Sequence, residues 1–203
     1  MTPDNVVAAG NDVNQAMVDM ITGYWVSQTI RAVADLSLAD HLCDRPLTAT
    51  EIARREGSAV DSTLRLLRAA RGLGLVTVDS SGRFHGTELL ATLRKDTPDS
   101  LRPFAMCFTS RPLWMGWLGL VPSIRHGQTQ ISNVLGTDFF SYLAQNPDAA
   151  SDFSAAMTSA TSVWMPDVAK MIDTTGVRCA VDVGGANGTL LRILQQANPR
   201  VCH

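Results

Sequence analysis

Between Val13 and Leu42 the apolar positions Met17, Met20, Ile21, Tyr24, Trp25 and Ile30, continued by Val33, Leu36, Leu38 and Leu42, recur at helical spacing with few charges between them. A stripe this apolar must bury itself against the rest of the chain or against a second copy of it. Thr48 and Glu51 have capping-box spacing and predict a short helix ending near Gly57. Asp61 is placed to cap a second helix with Leu64, Leu66, Leu67 and Ala70 inward, ended by Gly72 and Gly74. Leu75 to Val78 and Arg83 to His85 read as two strands joined by the turn Asp79-Ser80-Ser81-Gly82. Helix–turn–helix followed by a hairpin predicts a winged helix.

Further along, Leu101 to Ile124 is apolar and helical, with Trp114, Met115 and Trp117, and Gly127 to Gly136 reads as a loop. Phe139, Phe140, Tyr142 and Leu143 predict a helix ending at Asn146-Pro147. A long helix starts near Asp148 with Phe153, Met157, Ala160 and Trp164 at helical spacing; Pro166 should kink or restart it, with a second helix reaching about Ile172. Val177 to Val183 predicts a strand covered on both faces. A glycine-rich turn follows, then an amphipathic helix through Leu190, Leu191, Ile193, Leu194 and Ala197, stopped at Asn198-Pro199. The expected fold is a mainly α N-terminal domain with a winged helix, followed by the first β-α unit of a doubly wound α/β domain.

Charge and composition exclude more than they assign. The 203 residues carry a formal net charge of −2, so no basic field exists to attract nucleic acid or an acidic membrane. No apolar run is long enough to span a bilayer, and Met1 to Gly10 lacks the features of a signal peptide and is expected to be frayed. Cys43, Cys107, Cys179 and Cys202 form no C-x-x-C pair, and no histidine stands at metal-ligand spacing from them. Reduced thiols in a cytoplasmic protein without a metal site are the expectation.

The candidate chemistry sits in Asp182-Val183-Gly184-Gly185-Ala186-Asn187-Gly188. Glycines let a backbone bend tightly and approach a ligand, and the helix start behind them offers free N–H groups. A dinucleotide fingerprint needs G-x-G-x-x-G, and Ala186 and Asn187 break that spacing; a P-loop needs a lysine that is absent. An acidic residue, one residue, Gly, then Gly four later suits S-adenosyl-L-methionine, whose ammonium can be met by carboxylate and carbonyl groups. A purely structural glycine turn stays open.

From about Val13 to Pro199 the chain resembles the bacterial and plant O-methyltransferases that carry a dimerising winged-helix region ahead of a Rossmann-like methyltransferase domain. The resemblance rests on Thr22 to Ser27, Ala34 to Asp40, Leu64 to Arg68, Phe139 to Leu143, Phe153 to Met157 and the glycine loop, in that order and spacing. Ser37 and Ala186 stand where glycine is common in that family. The resemblance implies a homodimer through the N-terminal helices, a small-molecule hydroxyl acceptor, and three segments: a helical, winged-helix dimerisation domain over 11–100, a helical linker and acceptor-pocket region over 101–173, and the start of the cofactor domain over 174–203. It implies that Asp182, Gly184, Gly185 and Gly188 shape the cofactor loop, that Thr161 touches the cofactor, and that Met115, Phe153 and Met157 line the acceptor pocket. Phe153 and Met157 could instead be plain core, and Thr161 could bond back along its own helix.

The family places a ribose-binding acid and a general-base histidine downstream, beyond His203. The expectation is therefore a truncated and inactive chain with no catalytic residue of its own, whose last strand is weakly held or completed by another polypeptide. His41, His85, His126 and His203 read as surface or structural. Two other functions compete. Arg65, Arg68 and Arg71 on one helix could face DNA phosphates, although Glu51, Glu56 and Asp79 lie nearby and a solvated, salt-bridged helix face is the preferred reading. A non-catalytic dimerisation subunit is the other.

Overall fold

A computed structural model describes residues 10–198. The expectations for the first nine residues, Pro199, Cys202 and His203 therefore lie outside the described residues. Helix α1 (Gly10–Asp35) is followed at once by α2 (Leu38–Leu42). The break is Ser37, which takes left-handed angles, φ 48° and ψ 33°, and makes no side-chain capping bond. Val33, Leu38 and Leu42 point into the first core, while Met17, Met20, Ile21, Tyr24 and Trp25 are exposed. The predicted stripe thus divides: its second half finds partners within the chain and its first half does not.

Helix α3 (Ala49–Glu56) forms behind the expected capping box. The Thr48 hydroxyl accepts from the Glu51 N–H at 3.2 Å, and Glu51 accepts from the Thr48 N–H at 2.7 Å. Helix α4 (Val60–Gly72) starts two residues earlier than expected: Ala59 is the N-cap and Asp61 lies in the first turn, while the Ser58 and Thr63 hydroxyls bond each other at 2.7 Å. Strands β1 (Val76–Val78) and β2 (Phe84–Gly86) pair antiparallel, with Thr77 opposite His85. Leu47 adds a bridge to Phe84 through two backbone bonds. Ile52, Leu67, Val76, Phe84 and Leu90 of α5 (Glu88–Ala91) pack with Val33 and Leu38 into one core. Each large apolar side chain buried there contributes about 1.5–3 kcal/mol.

The second half is helical: α6 (Arg102–Phe108), α7 (Arg111–Gly116), a 3-10 turn at Trp117–Gly119, α8 (Leu120–His126), α9 (Ile131–Leu135), α10 (Phe139–Gln145), α11 (Pro147–Met171) and α12 (Thr189–Ala197). Helix α9 corrects the loop expected there. Left-handed Gly127 and Gly136 bound it, and Ile131 anchors it so closely that a Cβ on Gly116 would lie 2.7 Å from the Ile131 side chain. Helix α11 corrects the expected second helix, because it runs on through Pro166 to Met171 without a restart. Buried Ala156, Ala160 and Ala169 flank the proline and hold both halves against α6 and α12, so packing outweighs the one lost N–H.

The strand expected over Val177 to Val183 does not form among the described residues; only Cys179 takes a bridge position. Val181 is 80% and Val183 94% exposed, so the segment has apolar strand composition without a sheet to bury it.

Candidate functional site

The turn after this segment is built from alternating backbone hands. Gly184, Ala186 and Gly188 have φ of 82°, 46° and 72°, and the Gly188 N–H closes the turn on the Gly185 carbonyl at 2.7 Å. Gly184 and Gly188 adopt these angles freely, whereas an L-residue at 186 costs about 1–2 kcal/mol. Gly185 is needed for a different reason. A Cβ there would lie 2.5 Å from Oδ2 of Asp182, whose side chain folds over it.

Asn187 holds the turn in place. Its Oδ1 accepts from the Thr189 hydroxyl at 2.6 Å and from the Thr189 N–H at 3.3 Å, taking the capping role that Gly188 cannot fill at the start of α12. Its Nδ2 donates to the Thr158 hydroxyl on α11 at 2.7 Å. Arg192 adds a bond to the Thr189 hydroxyl at 2.9 Å. Asn187, Thr158 and Thr189 were missed in the sequence; an Asn immediately ahead of a Gly-Thr helix start is the one local cue to the cap.

Between this turn and α11 lies a cavity of about 260 Å³. Asp182, Gly184 and Gly185 line one wall, and Met157 and Thr161 the other. Gly188 shapes the turn but does not line the cavity. The Asp182 carboxylate has no hydrogen-bond partner among the described residues, and neither has the Thr161 hydroxyl. Thr158 and Ser159 do bond back to Ser154 and Ala155 one turn earlier. The back-bonding alternative for Thr161 is therefore not what the structure adopts. An unpaired carboxylate beside an unpaired hydroxyl can receive a ligand cation and a ligand polar group.

Phe153 faces elsewhere. With Phe139 and Tyr142 it lines a second cavity of about 270 Å³, bounded also by Arg31, Cys107 and Asp152. The Phe139 and Phe153 rings meet edge to face at 5.0 Å. Arg31 is tied down by its bond to the Met106 carbonyl at 2.6 Å. Burial, and then the Asp152 charge, push the Cys107 thiol above its ordinary range, so it stays protonated and is no nucleophile. The sequence candidates thus separate. Met157 joins the residues of the first cavity, Phe153 the second, and Met115, on α7, lines neither.

No described histidine lines either cavity. His41 pairs with Glu56 and His85 with Asp79. The His85 bond, with those from Ser81 and Arg83, holds the Asp79 carboxyl well below the usual carboxylate range. No helix of the described residues is long and apolar enough to cross a membrane.

Comparison with known proteins agrees with this architecture. Residues 18–96 match the O-methyltransferase dimerisation domain and residues 117–203 the O-methyltransferase domain. The chain is 31% identical to phenazine O-methyltransferase PhzM of Lysobacter antibioticus over 196 residues, covering 97% of this chain and 57% of that protein. It is 34% identical to O-demethylpuromycin-O-methyltransferase of Streptomyces alboniger, covering 96% and 52%. Among solved structures it resembles an O-methyltransferase of neocarzinostatin biosynthesis, NcsB1, in complex with S-adenosylmethionine and 2-hydroxy-5-methyl naphthoic acid. That match has 32% identity and a TM-score of 0.64, and covers 87% of this chain and 55% of that one. The chain spans about half the length of the curated relatives it matches. With both domain types matched in order along one polypeptide, the chain belongs to the O-methyltransferase family in which a dimerisation domain precedes the methyltransferase domain.

Proposed function

We propose that this chain supplies the donor-holding part of an S-adenosylmethionine-dependent O-methyltransferase that acts on a hydroxyl of a small molecule. The observation that carries the reading is the cavity joining the unpaired Asp182 carboxylate to the unpaired Thr161 hydroxyl across the glycine turn. The residues fit the donor: Asp182 would meet its ammonium, Gly184 and Gly185 would admit it close to the backbone, and Thr161 and Met157 would close the opposite wall. Gly188 would hold the turn in shape. At about 260 Å³ the cavity falls just under the common range for ligand sites, about 300–1,000 Å³, and suits one end of such a donor. The bound donor would supply an electrophilic methyl group. The second cavity, walled by Phe139, Tyr142 and Phe153, suits a flat aromatic acceptor. Met115 would reach the acceptor only from outside both cavities.

Three further parts belong to the reading. The exposed apolar residues of α1, with Trp25 60% exposed, support a homodimer through the N-terminal helices. The helix–turn–helix and hairpin serve as a winged-helix scaffold in a dimerisation domain over 11–100, ahead of the linker at 101–173 and the cofactor unit from 174. The free thiols Cys43, Cys107 and Cys179 favour the cytoplasm. Because no described histidine reaches either cavity, the 203-residue chain by itself is expected to bind donor without transferring methyl groups.

Calorimetric titration of the chain with S-adenosylmethionine tests this. Saturable binding, weakened about tenfold or more in Asp182→Asn, is expected, since a charge-assisted hydrogen bond is lost. Equal binding by Asp182→Asn refutes the assignment of the cavity, and turnover of a phenolic acceptor refutes the inactivity.

A further inference from the structure

A third cavity lies beside the glycine turn, in the cleft between the segment 95–103 and α11, with a volume of about 600 Å³. Its polar lining includes Lys95 and Arg102 from the segment, Ser151, Ser154 and Thr158 from α11, and Asn187 from the turn. No carboxylate lines it. Lys95 is 3.9 Å from Asp40, which shares its charge, but Arg102 forms no ion pair among the described residues. Nη1 of Arg102 is buried and has no hydrogen-bond partner. A buried guanidinium N–H left unpaired costs several times what an ordinary hydrogen bond contributes, so such a group implies an acceptor that completes it. On the facing helix, Ser151 and Ser154 stand one turn apart, exposed, and their hydroxyls bond no described residue.

We infer that this cleft is a binding site for an anionic small molecule presenting a carboxylate or phosphate group. The Arg102 fork takes two oxygens of the anion, as the planar guanidinium does with either group. Lys95 adds charge, and the Ser151 and Ser154 hydroxyls donate from the opposite wall. Thr158 is not free to join, because its hydroxyl already accepts from Asn187 and donates to Ser154. The cleft is far larger than an ion, so the ligand carries a body beyond its charged group. The cleft adjoins the donor cavity, with Ser154, Thr158 and Asn187 on the lining of both, and differs from it in charge: one presents an unpaired carboxylate, the other an unpaired cation.

The test uses the 203-residue chain without S-adenosylmethionine, titrated calorimetrically at constant ionic strength with inorganic phosphate and, separately, with benzoate. Saturable binding of one or both is expected, and which probe binds more tightly identifies the group preferred. Arg102→Gln should weaken it about tenfold or more, and Ser151→Ala/Ser154→Ala, which favours helix, should weaken it several-fold. The double variant decides the matter if Arg102→Gln does not fold. Asp182→Asn should leave anion binding unchanged, so loss of the donor reading and loss of this one are separable. No saturable binding of either probe, or undiminished binding by the variants, overturns the inference.

Discussion

Ser37→Gly should stabilise this protein, although it removes a side chain from a half-buried position. Ser37 holds φ 48° and ψ 33° between α1 and α2. Its hydroxyl caps nothing, and its backbone bonds, from its N–H to the Ala34 carbonyl and from the His41 N–H to its own carbonyl, are both 3.2 Å and survive in glycine. Left-handed angles cost an L-residue about 1–2 kcal/mol. Glycine gives back about 0.5–1 kcal/mol through the greater freedom of its unfolded chain. The difference favours glycine by about 0.5–1 kcal/mol. At 2–4 °C per kcal/mol for a chain of this size, that is about 1–4 °C in Tm. Thermal melting followed by far-ultraviolet circular dichroism reads it, with Ser37→Val as the opposing control, since a β-branched residue tolerates this region least. A lower Tm for Ser37→Gly, or a higher one for Ser37→Val, refutes the strain argument.

Gly185→Ala should push the Asp182 side chain aside, because the new methyl would lie 2.5 Å from its oxygen; calorimetry should show S-adenosylmethionine affinity falling about tenfold with Tm little changed. Asn187→Ala removes both the α12 cap and the bond to Thr158, so it should cost about 1–2 kcal/mol in local opening, read as faster amide exchange over 184–190 and not in β1 or β2. Asp79 and Glu51 are both held below their ordinary ranges, Asp79 first by His85 and Glu51 first by the Thr48 N–H. Their contribution is full above the ordinary carboxylate pKa values, 3.8 and 4.5, and is lost as pH falls through the lower folded values, so acid should melt the first domain. Asp79→Asn should flatten that acid limb in melts taken at descending pH.

What the sequence shows best is what neighbouring residues decide. The Thr48–Glu51 box, the Asp79–Gly82 hairpin turn and the glycine turn each close within a few residues, and each was readable before any packing was known. The resemblance also marked Ser37 and Ala186 as glycine positions, and these are the two described non-glycine residues with positive φ. Harder to read was whatever depends on distant partners. Pro166 stays inside α11 because buried alanines on either side pin the helix, a fact invisible in a local rule. Val177 to Val183 has strand composition, yet a strand is defined by its neighbour, and 181 and 183 lie bare among the described residues. The Asn187–Thr158 bond spans 29 positions and joins two polar residues that no periodicity singles out.

Helix α11 explains why the three cavities occur together. Its small residues Ala156, Ser159 and Ala160 are buried and let α6 and α12 approach, while Trp164 packs edge to face on Phe104 of α6 at 5.9 Å. With that side committed to packing, the remaining faces of one rigid cylinder must look in different directions. Phe153 goes to the aromatic cavity, Met157 and Thr161 to the glycine turn, and Ser151 to the polar cleft, with Ser154 on the lining of both the turn cavity and the cleft. Successive residues on a helix are about 100° apart, so a ligand in any one cavity touches side chains whose neighbours line the next. The Thr158 hydroxyl, bonded to Asn187 at the border of two of them, is where the position of α11 fixes the position of the turn. The geometry of all three cavities therefore rests on how α11 is seated, more than on the conformation of the glycines alone.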